Sequence, residues 1–419
     1  MKFQKATTLL CAATFTFFQA KSQAEQAFIK ENLSFAVGHL ENMAASKDIE
    51  KLKFPRTINK EGKMISTSMY DWTPGFFPGS LWYGYEFNKD EKLKATATSW
   101  TEQLEPLQTF TRHHDLGFMM YCSYGNAYRL TGNESYKKIL INSANALSTR
   151  FNAKTGCIKS WNSFKSWHGD KTYYFPVIID NMMNLEMLFF ASKVSGDPRF
   201  KNIAVKHAET TMKNHFRPDY SSYHVVCYDS VSGKVEAREA AQGFADNSTW
   251  ARGQAWAVYG FTMTYRETKD PRFLKTAKGL ANYFINNKST PADHIPIWDF
   301  NAWQKGYQPG KNSNASKVPV LYRDASAAAI TASALLELST YVPGAEASRY
   351  KQAAVDILHS LGSPAYRAPH GSNGDFILEH SVGSIPHNGE IDVPLVYADY
   401  YFIEALLRYQ KILDGKKLF

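Results

Sequence analysis

Residues 188–212 read LFFASKVSGDPRFKNIAVKHAETTM. An apolar-periodic segment runs to a turn at Gly196. Asp197 then stands at a helix N-cap position, and Pro198 follows in the first turn, where a missing N–H costs nothing. Phe200, Ala204 and Ala208 recur beyond it at helical spacing. The stretch reads as a helical hairpin. The same plan returns at 125–147 (GNAYRLTGNESYKKILINSANAL), 260–284 (GFTMTYRETKDPRFLKTAKGLANYF) and 335–358 (LLELSTYVPGAEASRYKQAAVDIL). Residues 81–104 form a weaker copy, and 396–413 (VYADYYFIEALLRYQKIL) read as a closing helix. Strand signals are scarce.

The aromatics that open the second helices, Tyr136, Phe200, Phe273 and Tyr350, lie 64, 73 and 77 residues apart. Two helices of ordinary length consume far less, so the surplus is loop, and the loops hold most of the Trp, His and Gly. Five or six hairpins fit an open solenoid or a closed ring. Long loops able to converge over one mouth favour the ring, so the expected fold is all-α, an (α/α)6 barrel with long active-site loops, in a single domain over 25–419.

The first 24 residues carry Lys2 and Lys5, an apolar run from Ala6 to Ala20 and a small-residue end at Ser22-Gln23-Ala24. They read as a secretory signal, which implies a periplasmic or secreted protein. Leu9-Leu10 before Cys11 lack the small residues of a lipoprotein site, which disfavours lipidation. No other segment approaches the ~20 apolar residues of a membrane span. Without the signal the chain loses three lysines, and its net charge falls from +9 to +6. That excess suits acidic partners, but no Lys/Arg block is dense enough for nucleic acid. Cys122, Cys157 and Cys227 allow at most one internal disulfide. No spacing of metal ligands occurs, and no metal or cofactor is expected. Aromatic residues make up 14% of the chain, more than a core needs, and flat rings often line sites for flat ligands such as sugars.

Two aspartates stand out. Asp180 lies in the nearly continuous apolar stretch Tyr173–Phe190, where burial should raise its pKa as a general acid requires. Asp115 precedes the apolar run at Leu116, where an N-cap role competes with a chemical one. Together they suggest a carboxylate pair with separated pKa values, as in glycoside cleavage. In DNSTWARGQAW (246–256), Arg252 stands between tryptophans at the mouth of a helix, which suits the carboxylate of a ligand; an internal bridge to Asp246 is the plainer alternative. His224 and Gln242 say little alone.

The motifs HDLGF around Asp115, IIDNMMNLEMLFFAS around Asp180, YHVVCYD around His224 and QGFADNSTWARGQAWAVYGF (242–261) together resemble the unsaturated glucuronyl hydrolases of glycoside hydrolase family 88. DWTPGFFPGSLWYGYE (71–86) and GEIDVPLVYADYYFIEAL (389–406) extend the likeness to nearly the whole mature chain. The resemblance implies an (α/α)6 barrel and a substrate bearing a C4=C5 unsaturated uronic acid at its non-reducing end, as polysaccharide lyases leave it. It implies that Asp180 protonates C4 and activates the water that adds at C5, while Asp115, ionised, holds the sugar. His224, Gln242 and Arg252 would surround the uronate and the water, with Trp250 and Trp161 stacking on it. The leaving sugar stays open, and Lys311, Lys317 and Arg367 read as solvated loop cations. Unsaturated rhamnogalacturonides as substrate, a non-catalytic glycan-binding role and a glycosidase of saturated sugars are the alternatives.

Overall fold

The computed structural model describes residues 2–47, 49 and 51–419, with side chains described from Ser22 onward. Twelve α-helices are present among the described residues: α1 (Lys2–Ala45), α2 (Phe76–Asn88), α3 (Glu91–Glu102), α4 (Asn126–Thr131), α5 (Glu134–Ser148), α6 (Leu185–Ser195), α7 (Pro198–Asn214), α8 (Ala251–Thr268), α9 (Pro271–Ile285), α10 (Ala325–Ser339), α11 (Gly344–Leu361) and α12 (Val396–Leu413). A π-helix, Gly117–Gly125, leads directly into α4.

Burial sorts the helices into two layers. In α10 every residue from Ala325 to Leu338 is buried, whereas α9 buries one stripe, Phe273, Thr276, Ala277, Leu280, Ala281 and Phe284. The first pattern belongs to a helix enclosed on all sides, the second to one with a solvent face. The enclosed helices form a closed ring: α2, the π-helix with α4, α6, α8, α10, α12, then α2 again. Each has an outer partner, respectively α3, α5, α7, α9, α11 and α1. This is the (α/α)6 barrel. The expected hairpin signals hold, for Asp197 and Asp270 cap α7 and α9 by accepting the Arg199 and Arg272 N–H groups, both at 2.9 Å. The four repeat aromatics Tyr136, Phe200, Phe273 and Tyr350 are all buried.

One buried ion network ties five inner helices together. Arg266 on α8 pairs with Glu186 of α6 and with Glu337 of α10 at 3.1 Å, and Arg408 on α12 meets the same Glu337 at 3.1 Å. Tyr83 of α2 and Tyr259 of α8 both donate to Glu404 of α12, at 2.8 and 3.0 Å. Every charge in it has an opposite partner, the condition for tolerable burial.

The loops contain short antiparallel strands, more than the sequence suggests, in five small sheets. The three-stranded one places Val225–Tyr228 between Pro176–Ile178 and Val235–Glu239. Pro176–Ile178 and Val225–Tyr228 are buried throughout and show no period-2 pattern, and Val235–Glu239 alternates over only five residues. Cys122, Cys157 and Cys227 are buried free thiols. No helix among the described residues is long and apolar enough to cross a membrane.

Candidate active site

The three-stranded sheet brings the first two site residues together. Ile178 pairs with Val225, and the Ile179 N–H donates to the His224 carbonyl at 3.0 Å, so the residues leaving the two strands, Asp180 and His224, share one end. His224 Nδ1 accepts the backbone N–H groups of Ala241 (3.2 Å) and Gln242 (3.0 Å). Burial holds the ring neutral, so its one proton sits on Nε2, which lies 3.8 Å from Asp180 Oδ2. Asp180 is 9% exposed, and its Oδ2 has no hydrogen-bond partner. Burial, with Asp115 nearby, pushes this carboxyl up to about 7, against a smaller opposing pull from Arg252.

Asp115 is held from the next inner helix. Asn184 donates Nδ2–H to Asp115 Oδ1 at 3.0 Å and accepts the Phe118 N–H at 3.1 Å. Gly117 permits this approach, since a Cβ there would stand 2.4 Å from Asn184 Cα. The N-cap reading of Asp115 therefore does not hold, and Asp180, in the 3-10 turn Ile179–Asn184, makes no cap bond either. Burial pushes Asp115 to about 7 as well. The separated pair expected from the sequence is not seen. The two histidines beside Asp115 are themselves desolvated and neutral, so they supply no cation to hold it ionised.

Arg252 differs more from expectation. It is 1% exposed, and its partner is Asp324, fully buried at 3.3 Å, not Asp246. The same Nη1 also donates to the Val382 carbonyl, and Nη2 donates to the Gly383 carbonyl at 2.7 Å. Asp246 instead pairs with His168 at 2.8 Å. Asp324 also caps α10 through the Ser326 N–H at 3.1 Å. Arg252 thus joins the starts of α8 and α10 to the segment around Gly383. Trp250 lies against the guanidinium (4.5 Å) and against the His224 ring (4.5 Å). Trp161 meets His224 edge-on at 6.0 Å, and Gln242 donates Nε2–H to the Gly383 carbonyl at 3.2 Å.

A cavity of about 1020 Å³ opens here, walled by Arg56, Trp72, Trp161, Gln242, Arg252 and Tyr397 and rimmed by residues of 163–170 and 383–390. Six of the expected site residues are therefore joined here: Trp161, Gln242 and Arg252 line the wall, Asp180, His224 and Trp250 stand behind it through the contacts above, and Asp115 is near enough to act on Asp180. Around it several buried polar atoms lack partners: Asp180 Oδ2, His224 Nε2, Trp250 Nε1, Arg252 Nε and Tyr397 OH. All but the first are donors. Native proteins leave few such atoms, and their convergence suits an oxygen-rich, anionic ligand. The sequence reading missed Tyr397, Arg56 and Asp324; the first lies within a quoted motif, the others carry no local signal. Arg56 is balanced by Asp71 and Glu390, both at 2.5 Å. Arg367 lies apart, bound to Glu31 and Asn32 of α1.

His113, His114 and Asp115 are the one set among the described residues whose metal-ligating atoms all lie within 4.8 Å of one another. His113 Nδ1 already accepts the Asp115 N–H at 3.1 Å, which takes that nitrogen from an ion.

Known proteins bear on this geometry. The sequence profile of Glycosyl Hydrolase Family 88 matches residues 49–284. An unsaturated glucuronyl hydrolase from Formosa agariphila is 43% identical over 411 residues, covering 97% of this chain and 98% of its own. An unsaturated chondroitin disaccharide hydrolase from Streptococcus agalactiae is 33% identical over 86% of each. Among solved structures, an unsaturated glucuronyl hydrolase specific for heparin superposes with a TM-score of 0.84 at 48% identity, covering 92% of this chain and 98% of that one. With the ring, the paired aspartates and a match of this extent in one molecule, the chain belongs to glycoside hydrolase family 88.

Proposed function

We propose that the protein removes a C4=C5 unsaturated glucuronic acid from the non-reducing end of lyase-generated, glycosaminoglycan-type oligosaccharides by hydrating the double bond at C5. The observation that carries the reading is Asp180: a buried carboxyl with an unpartnered oxygen, raised to about 7, beside a donor-lined cavity. A carboxylic acid poised near neutrality gives up a proton and takes one back within a cycle.

In this mechanism Asp180 protonates C4, and positive charge develops at C5 and the ring oxygen. Water adds at C5 as Asp180 recovers a proton from it. The hemiketal opens to a ketone at C5, which leaves a hemiacetal at C1 that expels the remaining sugar. One water is consumed, and the products are a keto-sugar and the shortened glycan. His224 presents Nε2–H toward Asp180 and supports its ionised form between the two proton transfers. Asp115 stabilises the charge at C5 in its ionised form, which the bound substrate must favour, since burial alone opposes it. Trp161 supplies a ring face to the sugar, Trp250, buried against Arg252 and His224, braces both instead of stacking on the ligand, Gln242 aligns the wall at Gly383, and Arg252 shapes that wall and contributes positive potential, with its charge shared with Asp324.

The first leaving sugars to test are heparin-derived, since the 48% identical relative is described as specific for heparin. Residues 1–24 are proposed as a secretory signal that directs the protein to the periplasm or outside the cell. In support, the described side chains just ahead of the proposed cut, Ser22, Gln23 and Ala24, are not buried. The test is loss of the ultraviolet absorbance of the C4=C5 bond on unsaturated disaccharides from heparin, chondroitin, hyaluronan and rhamnogalacturonan. Consumption of a glucuronyl member establishes the reaction; inertness of the folded protein on all of them refutes it.

A further inference from the structure

We infer that Tyr397 is a substrate-contacting residue, its phenolic O–H donating to an oxygen of the bound unsaturated uronate. The residue sits in the first turn of α12, is 1% exposed, and lines the cavity. Its hydroxyl is buried without a hydrogen-bond partner, although its ring is firmly placed, 4.8 Å from the Trp72 ring and 5.3 Å from the Arg252 guanidinium. Burial also raises the phenol, so the group remains a donor at every working pH.

A tyrosine in the core normally finds an acceptor for its O–H, because an unmade hydrogen bond in a buried place is destabilising. The nearby carboxylates offer none. Asp324 is taken up by Arg252 and the start of α10, and Glu390 by Arg56. The phenol is therefore held rigid with no protein acceptor, near Arg252 and Arg56. A uronate entering the cavity brings the missing acceptor. A phenylalanine would fill the same space, so the hydroxyl itself serves the ligand and not the packing.

This inference rests on the cavity being the site for an unsaturated uronate, so wild-type turnover of the double bond is measured first. Tyr397→Phe is then assayed on the same panel of disaccharides, which share the uronate and differ in the leaving sugar, and its thermal midpoint is taken without ligand. The expected result is a fall in kcat/KM of roughly 10- to 100-fold, the range for a hydrogen bond to a charged acceptor. The fall should be similar for every leaving sugar, with a midpoint equal to or above wild type. Activity within about twofold of an active wild type overturns the role of Tyr397 and leaves the proposed reaction standing. A loss confined to one leaving sugar overturns the assignment to the uronate. A lowered midpoint would mean that the hydroxyl serves the fold and would overturn the inference as well. Inertness of wild type on the whole panel would remove both this inference and the reading beneath it.

Discussion

Replacing Asp180 by Asn separates the two consequences of burying an unpartnered carboxyl. Asn has the same shape and does not titrate, so the variant keeps the packing and loses the proton. In wild type the folded-state pKa is about 7 against an ordinary value of 3.8, raised mainly by desolvation. A group whose pKa rises on folding contributes its full stability below the unfolded value, near pH 4, and loses it as pH climbs through about 7. A shift of about three pK units at ~1.36 kcal/mol each makes that loss ~4 kcal/mol, an upper figure because relaxation and water reduce it. With an unfolding entropy of ~2.1 cal/mol/K per residue, or ~0.9 kcal/mol/K for a chain of 419 residues, this corresponds to ~5 °C. Asp180→Asn should therefore melt up to about 5 °C above wild type at pH 8 and together with it at pH 4, while turnover falls by at least ~10²-fold. Thermal unfolding at the two pH values, beside the double-bond assay, reads both effects. A melting difference that is the same at pH 4 and pH 8 would refute the desolvation argument. Undiminished turnover would refute the acid/base role.

Asp324→Asn leaves Arg252 charged and uncompensated in the interior, so it should cost ~3–5 kcal/mol and, by freeing positive field toward Asp180, move the pH–rate profile to lower pH; an unmoved profile and an unchanged melt would show that the pair is not coupled to the site. Arg252→Ala strands Asp324 in turn, and differential scanning calorimetry should show a lower melting temperature as well as a raised KM, whereas a pure ligand anchor would change KM alone. At Gly75 a Cβ would stand 2.3 Å from the carbonyl oxygens of both Phe118 and Met119. Since backbone cannot step aside cheaply, Gly75→Ala should lose ~3 kcal/mol or more, read as a lowered urea midpoint. Cys122, Cys157 and Cys227 are buried and their thiols are raised by desolvation, so a thiol-reactive chromogen should label none in the native protein and all three in denaturant.

The outer helices were legible because their signals are local. The Asp-Pro pairs at 197–198 and 270–271 announce caps within three residues, and one buried stripe on a solvated helix gives a clear 3.6-residue period. The inner helices were legible only as apolar runs, since a helix enclosed on every side has no polar face to define its phase. The π-helix at 117–125 was invisible for that reason, and the hairpin count overlooked α1. At the site, the Asp115, Asp180 and Trp250–Arg252 neighbourhoods stood out by their unusual residue types. What could not be read was who meets whom. Asp324 lies 72 residues from Arg252 and Asn184 lies 69 from Asp115, and such pairings come from ring closure, which leaves no mark on spacing. The expectation of one ionised and one protonated carboxyl required a cation able to outweigh burial at Asp115, and the pull of Arg150 there is smaller than the effect of burial.

The seam between α2 and α12 joins residues from opposite ends of the chain, with Tyr83 and Glu404 separated by 321 positions. A polypeptide still emerging from the ribosome thus holds an open arc of hairpins with two unpaired flanks, and its reaction chamber lacks the wall that Tyr397 supplies. Closure and catalytic competence arrive together, with the stretch from Val396 onward. The topology makes folding slow, because its decisive contacts span nearly the full contour length. Truncation within α12 should therefore abolish activity even though Asp115 and Asp180 are retained.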